Sequence, residues 1–118
     1  MRDVDPLDLV ETIRESILVL APDLTIRFAN RSFCHTFAVA PKHIVGRRIY
    51  EIDDGQWNIP KLRELLEKIL PRNSQVLDFE VEHVFPGIGH RRMLLNAHRV
   101  PRGADEQQLI ILSIDAKE

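Results

Sequence analysis

The stretch that decides the fold is ILVLAPDLTIRFANRSF, residues 17–33. A short run rich in Leu and β-branched residues ends at a Pro-Asp pair, and a second run follows in which Ile26 and Phe28 flank an arginine. Apolar residues with period two are typical of a strand with one buried face, and Pro-Asp favours a turn. The pattern predicts a β-hairpin formed by residues 16–21 and 25–29, with Ile26 and Phe28 on one face.

Short helices are predicted directly after this hairpin. Asn30 is a good N-cap because its side-chain oxygen accepts hydrogen bonds from free helix N–H groups, and the helix that it starts carries Phe33 and Phe37. Pro41 is suited to the first position of another helical turn, which ends near Gly46. Both phenylalanines are therefore expected on a helix that packs close to the hairpin.

A longer helix and three further strands follow. Asn58 and Pro60 are start signals for a helix that Pro71 ends. From residue 75 the apolar period changes from helical spacing to two, which indicates strands. The strands are expected at residues 75–85, 91–100 and 109–114. The last of them is almost continuously apolar, as a strand covered on both faces would be, so we expect it at the centre of an antiparallel sheet.

The first two of these strands are predicted to pair as a hairpin. The expected register places Phe79 opposite Ala97 and Val81 opposite Leu95 on the face that the helices cover. The inward side of the first strand is expected to carry Leu77, Phe79, Val81, His83 and Phe85. The order of the elements predicts an α+β domain with a five-stranded antiparallel sheet and its helices on one face.

Residues 1–15 are predicted to form a flanking helix, and residues 16–118 the domain itself. Asp5 is a favourable N-cap followed by Pro, and the helix is expected to run to Glu15. Its apolar stripe is narrow and consists of Leu7, Val10 and Ile13. We expect this stripe to cover the outer face of the sheet or to pack on its counterpart in a homodimer.

Composition limits the function classes. The chain has 118 residues, 44% of them hydrophobic and 29% charged, which suits one folded domain. A net charge of -2 gives no basic surface for nucleic acid. The single cysteine cannot form an internal disulfide, and the apolar runs are far shorter than the ~20 residues that span a bilayer. We therefore expect a cytoplasmic domain that contacts neither nucleic acid nor membrane.

The chain lacks the common catalytic motifs. Gly87-Ile88-Gly89 is followed by His-Arg-Arg and a strand, not by the third glycine and helix that a dinucleotide site requires, and no Gly-x-Ser-x-Gly, phosphate loop or HExxH run occurs. The five histidines and one cysteine have no metal-site spacing. Cys34 is interpreted as a small core residue, with a nucleophile or a chromophore-attachment site as the alternatives. His83 is interpreted as a core or rim histidine, with a ligand-sensing histidine as the alternative. No catalytic residue and no metal ligand is predicted.

The order of several short segments resembles a PAS sensor domain. The segments are residues 17–20, 23–33, 45–47, 54–62, 78–83, 85–89 and 94–97. They are similar to PAS domains attached to bacterial sensor histidine kinases and to chemotaxis-type methyltransferase fusions, and the resemblance covers residues 7–115. It implies a non-catalytic sensory domain whose sheet cups a small cavity against the helices, with a flanking helix that links to an effector and often helps the domain to dimerise.

The resemblance also bears on the cofactor and the effector. Flavin-binding LOV members carry an Asn-Cys-Arg-Phe-Leu-Gln run after the Gly-Arg signal, whereas residues 46–51 read GRRIYE, so flavin is not expected. Haem-binding members place a histidine on the long helix, and residues 59–70 contain none, so haem is not expected either. The closing Asp-Ile-Thr-like motif of the family is reduced here to Asp115. The resemblance implies a C-terminal effector domain of the same protein.

Two functions remain open at this stage. The first is a signal-sensing domain of a larger signal-transduction protein, with a histidine kinase of a two-component system as the expected parent, that binds a small molecule or partner. The cavity for that molecule is expected between the inner face of the sheet and the short helices, lined by Phe28, Phe33, Phe37, Trp57, Phe79, Leu95 and Ser113. The alternative is a ligand-free dimerisation module whose pocket is filled by its own aromatic side chains.

Overall fold

The structure is a computed structural model that describes residues 13–101 and 108–117. One antiparallel sheet contains five strands in the order β2-β1-β5-β4-β3. The strands are β1 (Ser16–Leu20), β2 (Ile26–Ala29), β3 (Gln75–Phe85), β4 (Gly89–Val100) and β5 (Leu109–Lys117). The predicted α+β class and the predicted central position of the last strand are confirmed, since β5 lies between β1 and β4.

The helical segments connect β2 to β3 and cover one face of the sheet. They are α1 (Arg31–Thr36), α2 (Pro41–Ile44), a 3-10 turn (Ile49–Glu51), the short segment Ile52–Gly55, and α3 (Pro60–Glu64), which continues as a π-helical segment (Leu65–Ile69) and a 3-10 turn (Leu70–Arg72). None of the helices in the described ranges is both long and apolar enough to span a bilayer.

The hydrophobic core lies between the helices and what we call the inner face of the sheet. On β5 the residues Ile110, Leu112 and Ile114 point inward and are buried, and Leu112 is paired with Leu18 on one side and Ala97 on the other. Each fully buried Leu or Ile side chain contributes roughly 2 kcal/mol of hydrophobic stabilisation. The opposite, outer face carries the intervening residues, among them Ile111 and Ser113, which are half-buried.

The predicted register of the β3–β4 hairpin is wrong by two residues. Phe79 pairs with Leu95 instead of Ala97, and Val81 pairs with Met93. The reason is the turn: Phe85 pairs with Gly89, so the connecting loop is short and β4 starts earlier than predicted. A shift of two residues preserves the side-chain face, and Phe79, Val81 and Leu95 accordingly point inward as predicted.

A β-bulge in β3 corrects the prediction for Leu77. The register shifts between Val76 and Phe79, so Leu77 and Asp78 together lie opposite Asn96. Asp78 has a left-handed backbone with φ 55, and its N–H donates to the Asn96 Oδ1 at 2.8 Å. Leu77 is therefore not inward: its side chain is 54% exposed. A bulge adds one residue to the strand, so the alternation of side chains between the two faces of the sheet does not continue across it.

A second irregularity corrects the predicted face of Phe28. Leu20 pairs with Ile26 and Val19 with Phe28, so β2 has one extra residue, Arg27, between the two pairs. Ile26 points inward and is fully buried, whereas Phe28 lies beside Val19 on the outer face and is half-buried. Ile26 and Phe28 were predicted to share one face, and that prediction is wrong.

The predicted flanking helix falls largely outside the described residues, which begin at Ile13. Its last predicted turn is described and is not helical: residues 13–15 form an irregular segment that leads into β1. This segment is tied to the domain by hydrogen bonds from Asn30. The prediction for residues 1–12 stays a prediction.

Candidate functional site

Four aromatic rings pack together between the helices and the sheet, and we call them the aromatic cluster: Phe33, Phe37, Trp57 and Phe85. The ring centroid of Trp57 is 5.4 Å from that of Phe33 and 4.9 Å from that of Phe37. Phe85 lies 5.3 Å from Trp57 and 5.6 Å from Phe37. Tilted and edge-to-face pairs at these distances add about 0.5–1.5 kcal/mol each to the hydrophobic effect.

Asn30 positions the helix that supplies two of these rings. Its Oδ1 accepts hydrogen bonds from the backbone N–H of Phe33 at 3.0 Å and of Ile17 at 2.9 Å. Its Nδ2 donates to the Glu15 carbonyl at 2.8 Å. The predicted N-cap is confirmed, and the same amide also joins α1 to β1 and to the irregular segment before it. Asn30 is 0% exposed, so its bonds to the N–H groups of Phe33 and Ile17 are shielded from bulk water.

The polar atom inside the aromatic cluster is the indole nitrogen of Trp57. The Trp57 side chain is 0% exposed, and its Nε1–H has no hydrogen-bond acceptor among the described residues. A buried donor without a partner costs about 1–3 kcal/mol, and such groups are uncommon in folded proteins. The cluster therefore contains one donor that a bound acceptor atom would satisfy.

His83 and Gln56 form a hydrogen-bonded pair at the rim of the cluster, which we call the rim pair. The His83 Nε2–H donates to the Gln56 Oε1 at 2.9 Å, and both residues are half-buried. The His83 ring packs edge-on against Phe85 with centroids 4.6 Å apart. Gln56 directly precedes Trp57 in the chain. The rim pair thus links β3 to the segment that carries the central ring of the cluster.

Tyr50 is a second buried group with a polar atom. Two guanidinium groups lie near its ring, with Arg63 at 4.6 Å and Arg48 at 5.6 Å from the centroid. Its hydroxyl makes no well-aligned hydrogen bond within the described residues, but the Glu67 carboxylate lies close to it. Burial raises the pKa of the Tyr50 hydroxyl, and the Glu67 carboxylate raises it further. Tyr50 is therefore neutral at physiological pH and stabilises the start of α3 through stacking.

The structure brings together most of the predicted cavity lining but not all of it. Phe33, Phe37 and Trp57 are in the aromatic cluster, and Leu95 belongs to the same hydrophobic core. Phe79 lies at the edge of that core, half-buried, with the Lys61 ammonium 5.5 Å from its ring. Phe28 and Ser113 are on the outer face of the sheet, because the bulge in β2 turns Phe28 outward and Ser113 alternates with the inward Leu112 and Ile114.

Two parts of the site were not proposed from the sequence as ligand contacts. Phe85 was expected to point inward, and only the structure shows that it touches Trp57. The pairing of His83 with Gln56 joins residues 27 positions apart, and no local pattern indicates it.

The cluster is closed in this structure. All four of its side chains are buried, and none of them lines the surface grooves found at four places in the described ranges. One groove follows α3 between Pro60 and Asn73, and another lies beside Cys34 and His43. No group of three or more His, Cys, Asp or Glu side chains within residues 13–101 and 108–117 could hold a metal ion. A molecule that reached Trp57 would have to displace packed side chains.

Comparisons with known proteins point to one family. A family model described as PAS fold matches residues 10–118. A PAS domain from a two-component sensor histidine kinase superposes with a TM-score of 0.71 at 9% identity, covering 93% of this chain and 91% of that chain. The PAS domain of nitrogen regulation protein NR(II) from Vibrio parahaemolyticus gives a TM-score of 0.65 at 20% identity, covering 98% and 100%.

A third solved structure is the PAS domain, in complex with ethanol, of a LuxR-family transcriptional regulator from Burkholderia thailandensis. It superposes with a TM-score of 0.71 at 12% identity and covers 96% of this chain and 97% of that chain. At such identities the similarity to these three structures shows a shared fold. A search of curated proteins finds no significant match.

Proposed function

Because the family model spans residues 10–118, the chain belongs to the PAS family and is a signal-sensing domain, and from this premise we propose that it binds a small molecule at the aromatic cluster. The observation that carries the proposal is the Trp57 indole N–H, fully buried and without an acceptor among the described residues. A ligand with an acceptor atom at that position would remove a cost of about 1–3 kcal/mol.

The surroundings of this donor suit a small, uncharged and largely apolar molecule. Three phenylalanine rings pack around Trp57, and apolar walls with a few placed polar groups are typical of small-molecule sites. Ethanol bound to the LuxR-family PAS domain supports a small molecule in this fold. Since the cluster is closed here, binding would select an expanded packing of the core and shift the population toward it.

Asn30 offers a path for relaying that shift. It caps the helix that carries Phe33 and at the same time donates to the Glu15 carbonyl, in the segment that precedes β1. A movement of α1 that accompanied expansion of the cluster would therefore be passed to the N-terminal segment of the domain. A ligand biases the output only by the difference in its affinity for the two packings.

The domain would serve a larger signal-transduction protein. Similarity in fold to the PAS domain of a two-component sensor histidine kinase favours a kinase as the parent. The effector would follow β5, whose last residues include Asp115. We place this domain in the cytoplasm, with the effector domain of the same protein and a second copy of the chain as its partners.

Two probes that differ in one acceptor atom test the proposed site. Cyclohexanone should bind the wild-type domain about 5–100 times more tightly than methylenecyclohexane, which has nearly the same shape but no oxygen acceptor. Trp57→Phe removes the N–H and should abolish the difference. NMR shift titrations measure both affinities, and the fluorescence of Trp57, the single tryptophan, reports on binding to the wild type.

Cys34→Ala is the control variant because Cys34 lies on α1 but its side chain is half-buried and outside the aromatic cluster. It should keep the preference for cyclohexanone. The proposed site is wrong if neither probe binds, or if Trp57→Phe retains the preference.

A ligand-free dimerisation module is the second candidate, and the dense packing of the cluster favours it. The outer face also offers apolar surface to a partner chain: Val19, Phe28 and Ile111 are neighbours there and half-buried. Homodimerisation is part of both candidates, so probe binding, and not the oligomeric state, decides between them.

Substitution on the outer face tests the dimer. Ile111→Glu places a charge at the centre of the sheet's outer surface and should shift the chain from dimer to monomer in analytical ultracentrifugation, with an apparent Kd raised about 10-fold or more. Val84→Glu is the matched control, because Val84 lies on the edge strand and is already 66% exposed. A chain that is monomeric before any substitution would contradict the dimer.

A further inference from the structure

We infer that the rim pair, His83 and Gln56, is the gate through which molecules reach Trp57. The inference rests on the proposed function for the identity of the site, but the opening of the gate is measurable without any ligand. His83 and Gln56 control how fast the aromatic cluster opens to molecules from solvent, while the residues of the cluster determine which molecules bind.

The exposure of successive residues shows the route. His83 and Gln56 are half-buried, and the residues directly beneath them, Phe85 and Trp57, are 2% and 0% exposed. The His83 ring touches Phe85, and Gln56 is bonded to Trp57 through the backbone. Separation of the rim pair would therefore uncover Phe85 and Trp57, and Trp57 carries the unpaired indole N–H.

The two sides of the gate belong to different parts of the fold. His83 is held in β3 by pairing with Arg91 of β4, so its backbone is fixed by the sheet. Gln56 follows Ile52–Gly55, in which Asp53, Asp54 and Gly55 all have positive φ values. Left-handed backbone is unfavourable for residues with a Cβ, so this segment has more relaxed alternatives available once the His83 bond breaks. The moving side of the gate is the segment that carries Gln56.

Hydrogen exchange of the indole N–H measures this opening. The single tryptophan gives one indole proton signal in an NMR spectrum, and its exchange with D2O requires solvent to reach the cluster. Gln56→Ala removes the hydrogen bond to His83 and should accelerate indole exchange about 5- to 10-fold.

His90→Ala is the matched control. His90 of β4 bonds to the Glu82 carboxylate of β3 at the same 2.9 Å, but on exposed side chains away from the cluster. Its loss should leave indole exchange unchanged. The backbone amides of β4 report on global opening, and in Gln56→Ala their exchange should change less than the indole exchange does.

The gate is refuted if the indole exchange rate is unchanged in Gln56→Ala or is accelerated equally in His90→Ala. It is also refuted if exchange of the β4 amides accelerates as much as exchange of the indole.

The kinetics of cyclohexanone binding separate the gate from the proposed function. If the rim pair is a gate, Gln56→Ala should raise the association and dissociation rates of cyclohexanone by the same factor and leave its Kd unchanged. Faster indole exchange in Gln56→Ala with no cyclohexanone binding would support the gate and contradict the ligand site. Tight cyclohexanone binding with association, dissociation and indole-exchange rates unchanged in Gln56→Ala would support the ligand site and contradict the gate.

Discussion

Leu95→Asp is expected to lower the free energy of unfolding by at least about 4 kcal/mol, which is comparable to the whole stability of many small domains. Leu95 is 0% exposed and lies between Phe79 of β3 and Ile114 of β5 on the inner face. The substitution removes an apolar side chain from the core and introduces a buried carboxylate in its place. Urea denaturation followed by circular dichroism measures the loss.

Asn96→Asp is the matched control for this substitution. Asn96 is the next residue of β4 and lies on the outer face, where its Oδ1 accepts the Asp78 N–H. A carboxylate of nearly identical shape keeps that acceptor and remains in contact with water, so the free energy of unfolding should change by less than about 1 kcal/mol. Equal effects of the two variants would mean that Leu95 is not buried in solution.

Asn30→Ala is expected to cost about 3 kcal/mol and to lower Tm by roughly 10 °C. The side chain satisfies the buried N–H groups of Ile17 and Phe33 and donates to the part-buried Glu15 carbonyl. Alanine leaves the two N–H groups without their partner and too far from bulk solvent to be rehydrated freely. Thermal unfolding followed by circular dichroism gives the shift in Tm.

Two further variants show which of these bonds matters. Asn73→Ala removes a single hydrogen bond, from its Nδ2 to the Ile69 carbonyl, at an exposed position, and should change stability by less than about 1 kcal/mol. Asn30→Asp keeps the two acceptor bonds but faces the Glu15 carbonyl with a charge, so it should weaken the link to residues 13–15 more than the cap itself. If Asn30→Ala is no worse than Asn73→Ala, the buried network does not stabilise the fold.

The strands and helices of this fold could be predicted from the sequence because each depends on the pattern of a few adjacent residues. The continuous apolar run of β5 favours an interior strand, and β5 is paired on both edges, with β1 and with β4. Asn30 reads as an N-cap because its chemistry acts on an N–H three residues away. In both cases the cause lies within one element, so a sequence window contains it.

The errors arise where one residue is added to a strand. Phe28 and Leu77 were assigned to a face of the sheet from the alternation of side chains along a strand. Each lies at a β-bulge, where the extra residue reverses which face the following side chains occupy. Asp78 is the available signal for the second bulge, because Asp tolerates left-handed backbone better than most residues. The register of β3 against β4 depended on the loop length, which the Pro-Gly-Ile-Gly run does not determine alone.

The site was predictable to the extent that it is hydrophobic. Phe33, Phe37 and Trp57 were expected to line a cavity because they belong to a set of positions that combines apolar bulk with a few polar atoms. In the structure all three side chains are buried, and their role in binding stays a prediction. The packing of the rings against each other and the bond between His83 and Gln56 depend on contacts across the fold. Such contacts are set by the tertiary structure, and a single sequence holds no local pattern for them.

The bulge at Leu77 and Asp78 has a consequence for the behaviour of the domain at high concentration. Within the described ranges β3 is an edge of the sheet, and an edge strand that is long and flat is a template for aggregation. The extra residue bends β3 and interrupts its regular ladder of N–H and C=O groups, which makes this edge a poorer template for a second strand. Resistance of this domain to fibril-like stacking therefore depends in part on a single inserted residue.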